Sequence, residues 1–420
     1  MTDVVVVGGG VGGLVVARRL ALGGRRVTLL EAGDHLGGTV SRHTVGGLDL
    51  DAGAESFALR GGTVVALATE LGLGEDIVSP NPQGAWLQPV HGRAVPLPQN
   101  ALLGIPGSPL APDVLAILGQ AAALRAHAES FLPGSFAADS RSLGELVRRR
   151  MGTDVLDNLV APIVRGVHSQ EPDDLDLDRV APGLRAAMIR TGSLAAAVLE
   201  LRSTAARAGS AVAGIRGGVH RLVDNLEADL LRLGVDIRFG SRVDSADADG
   251  AVTGGRSIPG QVIVATPGII GPPVEAGRLA VLATLVLDAP ELDAAPRGTG
   301  LLVAAGAPGI HARALTHATA KWPWLAQRAA GNHVVRLSYA DELDNHAEIA
   351  RADTERLLGV ELPAARVIDY ARVQWRRPAP VTHVPEGILL VGETISGTGL
   401  ASVVAQAEAQ AVKVLQDIAD

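Results

Sequence analysis

The chain contains no cysteine, which excludes disulfides, thiolate nucleophiles, iron–sulfur ligation and cysteine-based zinc sites, and suits a reducing compartment. Any redox chemistry must therefore run on a bound cofactor. Aromatic residues make up 2% of the 420 positions, and none follows Trp375. Lysine occurs only at Lys321 and Lys413, so arginine carries nearly all the positive charge. The formal charge is −8 with no basic run, which argues against nucleic-acid partners. No stretch of about twenty apolar residues escapes Gly, Pro or charge, so no membrane span is expected. The apolar start at Val4 to Val7 has no basic segment ahead of it, so no secretory signal is expected and the cytoplasm is the expected location. Histidines lack metal-ligand spacing, and no metal site is expected.

What is present is a chain 47% hydrophobic and 20% charged, enough for two or more folding units. Its first forty residues are the most informative. Val4 to Val7 is a short β-branched run that reads as a buried strand of a parallel sheet. Gly8-Gly9-Gly10-Val11-Gly12-Gly13 follows, a GxGxxG at Gly8, Gly10 and Gly13. Leu14, Ala17, Leu20 and Ala21 recur at helical spacing, Gly23-Gly24 ends the helix, and Arg26 to Glu31 forms a second strand closing on an acid. In this order each part can hold a dinucleotide: Gly8 makes the tight turn, Gly10 admits the pyrophosphate, and Gly13 lets helix lie on strand. The pyrophosphate would sit at the helix N-terminus, and Glu31, 18 residues past Gly13, would accept hydrogen bonds from the adenosine ribose.

A second glycine loop, Ala32 to Thr39 with Gly37-Gly38, comes directly after the acid, and the segment Leu48 to Ser56 contains Gly53, Ala54, Glu55 and Ser56. This combination points to FAD, with Gly37-Gly38 beside pyrophosphate and ribityl and the small residues of Ala52 to Ala54 beside the flavin. There is no second GxGxxG, so electrons should enter from an organic substrate rather than from NADPH. Farther on, Val235 to Phe239 and Arg242-Val243 read as a strand pair, and Gln261 to Pro267 and Gly387 to Glu393 as buried strands. Gly397-Thr398-Gly399-Leu400 precedes a helix from Ala401 to Ile418, whose positive end would face the flavin. Residues 95–112 are rich in proline and read as loop, residues 113–165 as a small helical insert, and residues 270–375 as a mixed-sheet region.

Beyond these parts, the segments Gly53-Ala54-Glu55-Ser56-Phe57 with Arg60, Val95-Pro96-Leu97-Pro98, Arg148 to Gly152, Ala161 to Val167, Gly217-Gly218-Val219 and Lys321-Trp322-Pro323 carry a family likeness. The chain resembles the oxygen-dependent porphyrinogen oxidases, the coproporphyrinogen III and protoporphyrinogen oxidase group of the flavin monoamine oxidase superfamily, in its actinobacterial form. Two stretches depart from that pattern: Pro378-Ala379-Pro380-Val381 after Trp375, suggesting a trimmed substrate-region edge, and Ala401-Ser402 in the C-terminal motif.

The resemblance implies an α/β protein with a discontinuous Rossmann-like FAD-binding domain (1–60 with 212–268 and 384–420), a mixed-sheet substrate-binding domain (61–95 with 165–211 and 269–383) and a helical insert (96–164). It adds Val11, Gly12, Ala32, Val243, Ala265, Trp375, Gly392, Glu393, Gly399, Leu400 and Ala401 to the expected FAD contacts. It implies a six-electron oxidation of a porphyrinogen to a porphyrin in haem biosynthesis, with oxygen as acceptor and peroxide released, coproporphyrinogen III preferred. Protoporphyrinogen IX and amines are the alternative substrates. Because aromatisation drives the reaction and flavin does the chemistry, no dedicated base is assigned. The propionates would be met by Arg60, Arg93, Arg165 and Lys321, with Gly166 and Val167 beside the macrocycle. Peripheral contact with a membrane and transient contact with a downstream ferrochelatase belong to the same expectation.

Overall fold

The structure is a computed structural model and describes residues 3–168, 170–206 and 212–416. The chain divides into two compact units, one formed by 1–80, 211–280 and 373–420, the other by 81–210 and 281–372.

In the first unit the β-branched run Val4–Val7 forms a strand buried along its whole length. It pairs in parallel with Val27–Leu30 on one side and Gln261–Val264 on the other. Asp236–Arg238 and Leu389–Leu390 add the outer strands, completing a five-stranded parallel sheet. A strand covered on both faces is apolar, as Val4–Val7 at the centre of the sheet is throughout, whereas the edge strand Asp236–Arg238 buries only part of Ile237 and leaves its charged residues exposed. The helix Val11–Leu22 follows the glycine turn, and Leu14, Val15, Val16 and Leu20 share one core with Leu226, Leu230, Val404 and Val414 of the helices Arg221–Arg232 and Leu400–Gln416.

The expected pairing of Val235–Phe239 with Arg242-Val243 is not formed. Asp236–Arg238 instead takes the edge of the parallel sheet beside Val27–Leu30, while Val243–Ala246 pairs with Gly250–Thr253 in a separate three-stranded antiparallel sheet. The parallel sheet offers Ile237 a place against an established core. A two-stranded ribbon offers none.

The second unit carries a seven-stranded mixed sheet, in the order Val367–Arg377, Arg278–Leu287, His333–Tyr339, Ala314–His317, Gly300–Val303, Trp86–Gln88, Val95–Pro96. Helices between residues 112 and 206 belong to the same unit rather than forming a third body. Their core includes Leu87 and Ile105 and packs against Leu302 of the sheet, so helices and sheet share one interior. Residues 61–80, 269–280 and 373–383, expected with the substrate region, lie in the first unit. The proline-rich 95–112 stretch is not all loop, since it holds the two-residue strands Val95–Pro96, Ala101–Leu102 and Ile105–Pro106.

A buried ion pair fixes the helical part. Arg150, fully buried, donates from Nε and Nη2 to Glu129 at 2.8 and 2.5 Å, and also to the carbonyls of Pro133, Phe136 and Gly192. Glu129 in turn accepts from Ser193 Oγ and from the backbone N–H groups of Leu194 and Ala195 at the start of the helix Leu194–Ala206. Every polar atom of that carboxylate is answered, which is the condition for burying it. Arg150 is thereby a structural residue.

Candidate functional site

The first glycine turn is shaped by close approach at two points, by conformation at a third and by space at a fourth. A Cβ on Gly13 would stand 2.0 Å from the Gly8 carbonyl oxygen, so only glycine lets the helix Val11–Leu22 lie on the strand before it. A Cβ on Gly12 would meet Gly392 Cα at 3.2 Å, which brings the C-terminal motif onto the first turn. Gly8 adopts φ +105, a conformation that a side chain resists. Gly10 differs from all of these. Its φ of −68 and ψ of 169 suit any residue, and nothing among the described residues lies within 4 Å of where its Cβ would be. No side chain caps the helix that starts there. A glycine that neither conformation nor packing requires, at the head of an uncapped helix, fits a cradle for an anionic group.

The second loop closes on this turn. Gly37 N donates to Gly9 O at 2.8 Å, Gly10 and Gly37 form a parallel bridge, and Gly38 stands 3.5 Å, by its would-be Cβ, from Gly10 Cα. Glu31 follows the strand Val27–Leu30, and its two oxygens accept from Gly9 N and Gly33 N, both at 2.7 Å. The carboxylate therefore joins the two glycine loops, and its remaining lone pairs are the ones a ribose would use. Gly53 passes so close to Thr39 that a Cβ would meet its carbonyl oxygen at 2.0 Å, and Ala54 N donates to the same oxygen at 3.0 Å. Trp375 Nε1 donates to Ala52 O at 3.2 Å and holds this segment from its other side. Ala265 Cβ lies 3.1 Å from where a Cβ on Gly13 would be, and Ala32, Glu55, Ser56 and Val243 fall in the same unit. The backbone of Ser241, two residues before Val243, donates to Glu31 O at 2.7 Å.

The C-terminal motif is built as a turn and two helices. The strand Leu389–Leu390 leads to Gly392 at φ +98, the short helix Glu393–Ser396, Gly399 at φ +123, and the helix Leu400–Gln416. The expected helix from Ala401 to Ile418 thus starts one residue earlier, and its last expected residues lie outside the described ones. Burial pushes the Glu393 carboxyl above the usual carboxylate range, and the charge of Arg377 pulls against it. A carboxyl with that bias holds its proton to higher pH than a free one, and in its protonated form it donates as well as accepts a hydrogen bond, which suits a polyol chain.

Three positioning residues carried no sequence signal of their own. Gln406 accepts from Gly392 N at 3.1 Å and donates to Leu390 O at 2.8 Å, which sets the C-terminal turn. Thr63 Oγ1 donates to Ala401 O at 3.1 Å, and Asp51 accepts from Val219 N, His220 N and the His220 ring. All six bonds join residues at least 14 positions apart in sequence. Only a folded chain displays them.

The expected substrate residues are distributed differently. Arg60 is exposed on the turn before the helix Thr63–Glu70 of the first unit. The other five lie in the second unit. Arg93 is exposed on the turn between Trp86–Gln88 and Val95–Pro96. Arg165, Gly166 and Val167 share one π-helical turn, Val164–His168, and a second, Leu156–Val160, precedes it. Pro162 between them cannot donate a helical bond, and wide turns of this kind recur at functional sites. Arg165 is engaged by Glu171 through Nε at 3.1 and 2.9 Å and Nη2 at 2.7 Å, and Val167 is 60% exposed. Gly166 has a packing reason for being glycine, since a Cβ would stand 2.4 Å from Leu302 Cδ2. Lys321 places its ammonium 5.1 Å from the Trp322 ring centroid, and its carbonyl accepts from Asn81 N at 2.9 Å. Among the described residues there is no group of three His, Asp or Glu side chains disposed to hold a metal ion, and no helix long and apolar enough to cross a membrane.

Comparison with known proteins agrees with this geometry. The family described as Flavin containing amine oxidoreductase matches residues 11–268. A coproporphyrinogen III oxidase of Mycobacterium leprae is 31% identical over 393 residues, covering 88% of this chain and 82% of that protein. A chloroplastic protoporphyrinogen oxidase of Spinacia oleracea is 29% identical over 42% of this chain and 30% of its own. Among solved structures, a putative protoporphyrinogen oxidase from Exiguobacterium shares the fold with a TM-score of 0.83 at 23% identity, each chain covered to 99%. Cyclohexylamine oxidase of Brevibacterium oxydans shares it with a TM-score of 0.66 at 16% identity, over 100% of both chains. The chain thus belongs to the flavin-containing amine oxidoreductase family, among its porphyrinogen oxidases.

Proposed function

We propose that this protein oxidises coproporphyrinogen III to coproporphyrin III, removing six hydrogens in three two-electron steps, with three molecules of oxygen reduced to three of hydrogen peroxide. The observation that carries this reading is the mycobacterial coproporphyrinogen III oxidase, 31% identical across 88% of this chain. FAD, when bound, supplies the hydride acceptor. The chain's own residues have the remaining tasks. The turn at Gly10, the Gly37-Gly38 loop, Glu31 and the Gly392–Ala401 motif hold the dinucleotide, and Glu393 serves its polyol chain. Because aromatisation drives each step, the protein's contribution is positioning and shielding rather than a strong base.

Coproporphyrinogen carries four propionates and protoporphyrinogen two, so the substrate should be read by cations. Arg60, Arg93, Arg165 and Lys321 are the residues assigned to that task, with Gly166 and Val167 at the macrocycle. Arg165 gives up its bond to Glu171 when a propionate takes its place. Work in the cytoplasm, contact with a membrane surface and delivery of the product to a metal-inserting enzyme complete this reading.

The test is aerobic turnover of the FAD-loaded protein with coproporphyrinogen III and protoporphyrinogen IX side by side, following porphyrin fluorescence and peroxide. Faster use of the four-propionate substrate supports the proposal. Preference for protoporphyrinogen moves the enzyme to the two-propionate step, and inertness toward both with oxidation of an alkylamine overturns it.

A further inference from the structure

The second unit contains a titratable array that flavin chemistry does not use. His317 ends the strand Ala314–His317, is 1% exposed, and sets its Nε2 3.1 Å from Nδ1 of His333. His333 begins the neighbouring strand His333–Tyr339, is 7% exposed, and sets its Nε2 3.0 Å from Oδ1 of Asp293. The Asp293 side chain is 72% exposed, so the array runs from solvent into the interior. From the helix Ala318–Lys321, Thr319 Oγ1 accepts from Val334 N at 3.2 Å and stands 3.4 Å from His333 Nδ1. The groups facing the two imidazoles are thus Asp293 from the turn after Leu292, Thr319 from the helix, and each other. The remaining ring nitrogen, His317 Nδ1, is buried with no hydrogen-bond partner among the described residues.

The proton count follows from these contacts. With Asp293 ionised, His333 donates Nε2–H to it and keeps Nδ1 free to accept from Nε2–H of His317. A proton added to His333 makes Nδ1 a donor toward His317, which must then carry its own proton on Nδ1, where nothing accepts it. A second proton would place two buried cations with ring centroids 5.2 Å apart. A cation on His317 would thus be buried beside His333 with an unpaired donor, a penalty the unfolded chain does not impose.

We propose that Asp293, His333 and His317 form an acid-sensitive latch, which fastens the turn at Asp293 and, through Thr319, the helix Ala318–Lys321 to the strands Ala314–His317 and His333–Tyr339 and releases them on proton uptake. The released segment is the one that carries Lys321. Burial, and next the neighbouring His333, hold His317 down to about 4. Since the folded state binds fewer protons than the unfolded one, the latch is fully closed above the ordinary histidine value of about 6.5 and weakens from there down to about 4.

Hydrogen exchange of the full-length, FAD-loaded protein, corrected for intrinsic rates, is the direct test. The amides of residues 314–339 are expected to lose protection about tenfold per pH unit below about 6.5, while those of Val4–Val7 and Val11–Leu22 do not follow. His317→Leu should flatten that dependence. If His317→Leu does not fold, histidine ring carbon shifts in the wild-type protein give the answer, with the His317 ring staying neutral down to about pH 5. A His317 ring that titrates at the ordinary value, or protection that is lost equally in both units, overturns the latch.

Discussion

Gly10 and Gly13 stand three residues apart in one motif, yet the structure separates their tasks sharply enough to be tested by a single methyl group at each. At Gly10 an added Cβ meets nothing within 4 Å, and the backbone at φ −68 and ψ 169 is open to alanine. Alanine there should gain about 0.4–1 kcal/mol by restricting the unfolded chain. It should lose a comparable amount, up to about 1 kcal/mol, by being a poorer helix N-cap than glycine. The two offset, so the apoprotein of Gly10→Ala should melt within about 2 °C of wild type. Its FAD affinity should nevertheless fall at least about tenfold, or about 1.4 kcal/mol, because the methyl occupies the space that a pyrophosphate would approach. Gly13→Ala is the contrast. Its Cβ would lie 2.0 Å from the Gly8 carbonyl oxygen and 3.1 Å from Ala265 Cβ, so helix and strand must separate, at about 1–3 kcal/mol or more. That apoprotein should melt several degrees lower. Circular-dichroism melting of both apoproteins, with FAD titration followed by flavin fluorescence, reads the two effects independently. A Gly10→Ala protein that binds FAD as tightly as wild type would refute the assignment of the pyrophosphate to that turn.

The buried pair makes a second expectation: Arg150→Met leaves Glu129 uncompensated and should cost about 3–5 kcal/mol, read as a large drop in melting temperature with flavin content per folded molecule unchanged. Burial pushes the Glu129 carboxyl up, but bonds from Ala195 N, Ser193, Leu194 N and Arg150 outweigh it and the net is a lowering. Its contribution is thus present above the ordinary glutamate range and lost as pH falls through the lowered value, so Glu129→Gln should make acid unfolding less steep. Gly166→Ala should disturb the Val164–His168 turn through Leu302 and lower turnover of coproporphyrinogen III with flavin content unchanged, and unaltered turnover would remove Gly166 from the macrocycle. Arg60→Gln and Arg165→Gln should raise KM for coproporphyrinogen III while leaving the flavin spectrum intact, and loss of flavin in either variant would contradict the division between cofactor and substrate residues.

The strand, glycine turn, helix and second strand at the start of the chain were legible because the parts are local. A β-branched run, a glycine turn, a helix of regular apolar spacing and a second strand ending in Glu31 fall within thirty-one residues, each shaped by its neighbours in the chain. The helical periodicity of residues 113–165 was legible for the same reason, whereas the helices Leu184–Thr191 and Leu194–Ala206, in a stretch assigned to the mixed-sheet region, were not. Partner choice was not. Asp236–Arg238 reads equally well as half of a hairpin or as the edge of a parallel sheet, and the core against Ile237 made the choice. No spacing rule joins Glu129 to Arg150, Gln406 to Gly392, or Asp293 to His333 and His317. Closing a longer loop costs only slightly more than closing a shorter one, so sequence distance hardly biases which polar groups meet. The sequence by itself determined the cofactor class, the glycine turns and the elements that carry them. Tertiary structure alone decided which glycine yields space and which yields contact, and which charges are buried in pairs. Those outcomes depend on the packing of distant segments around a common core, where a polar group survives only if another segment brings its partner.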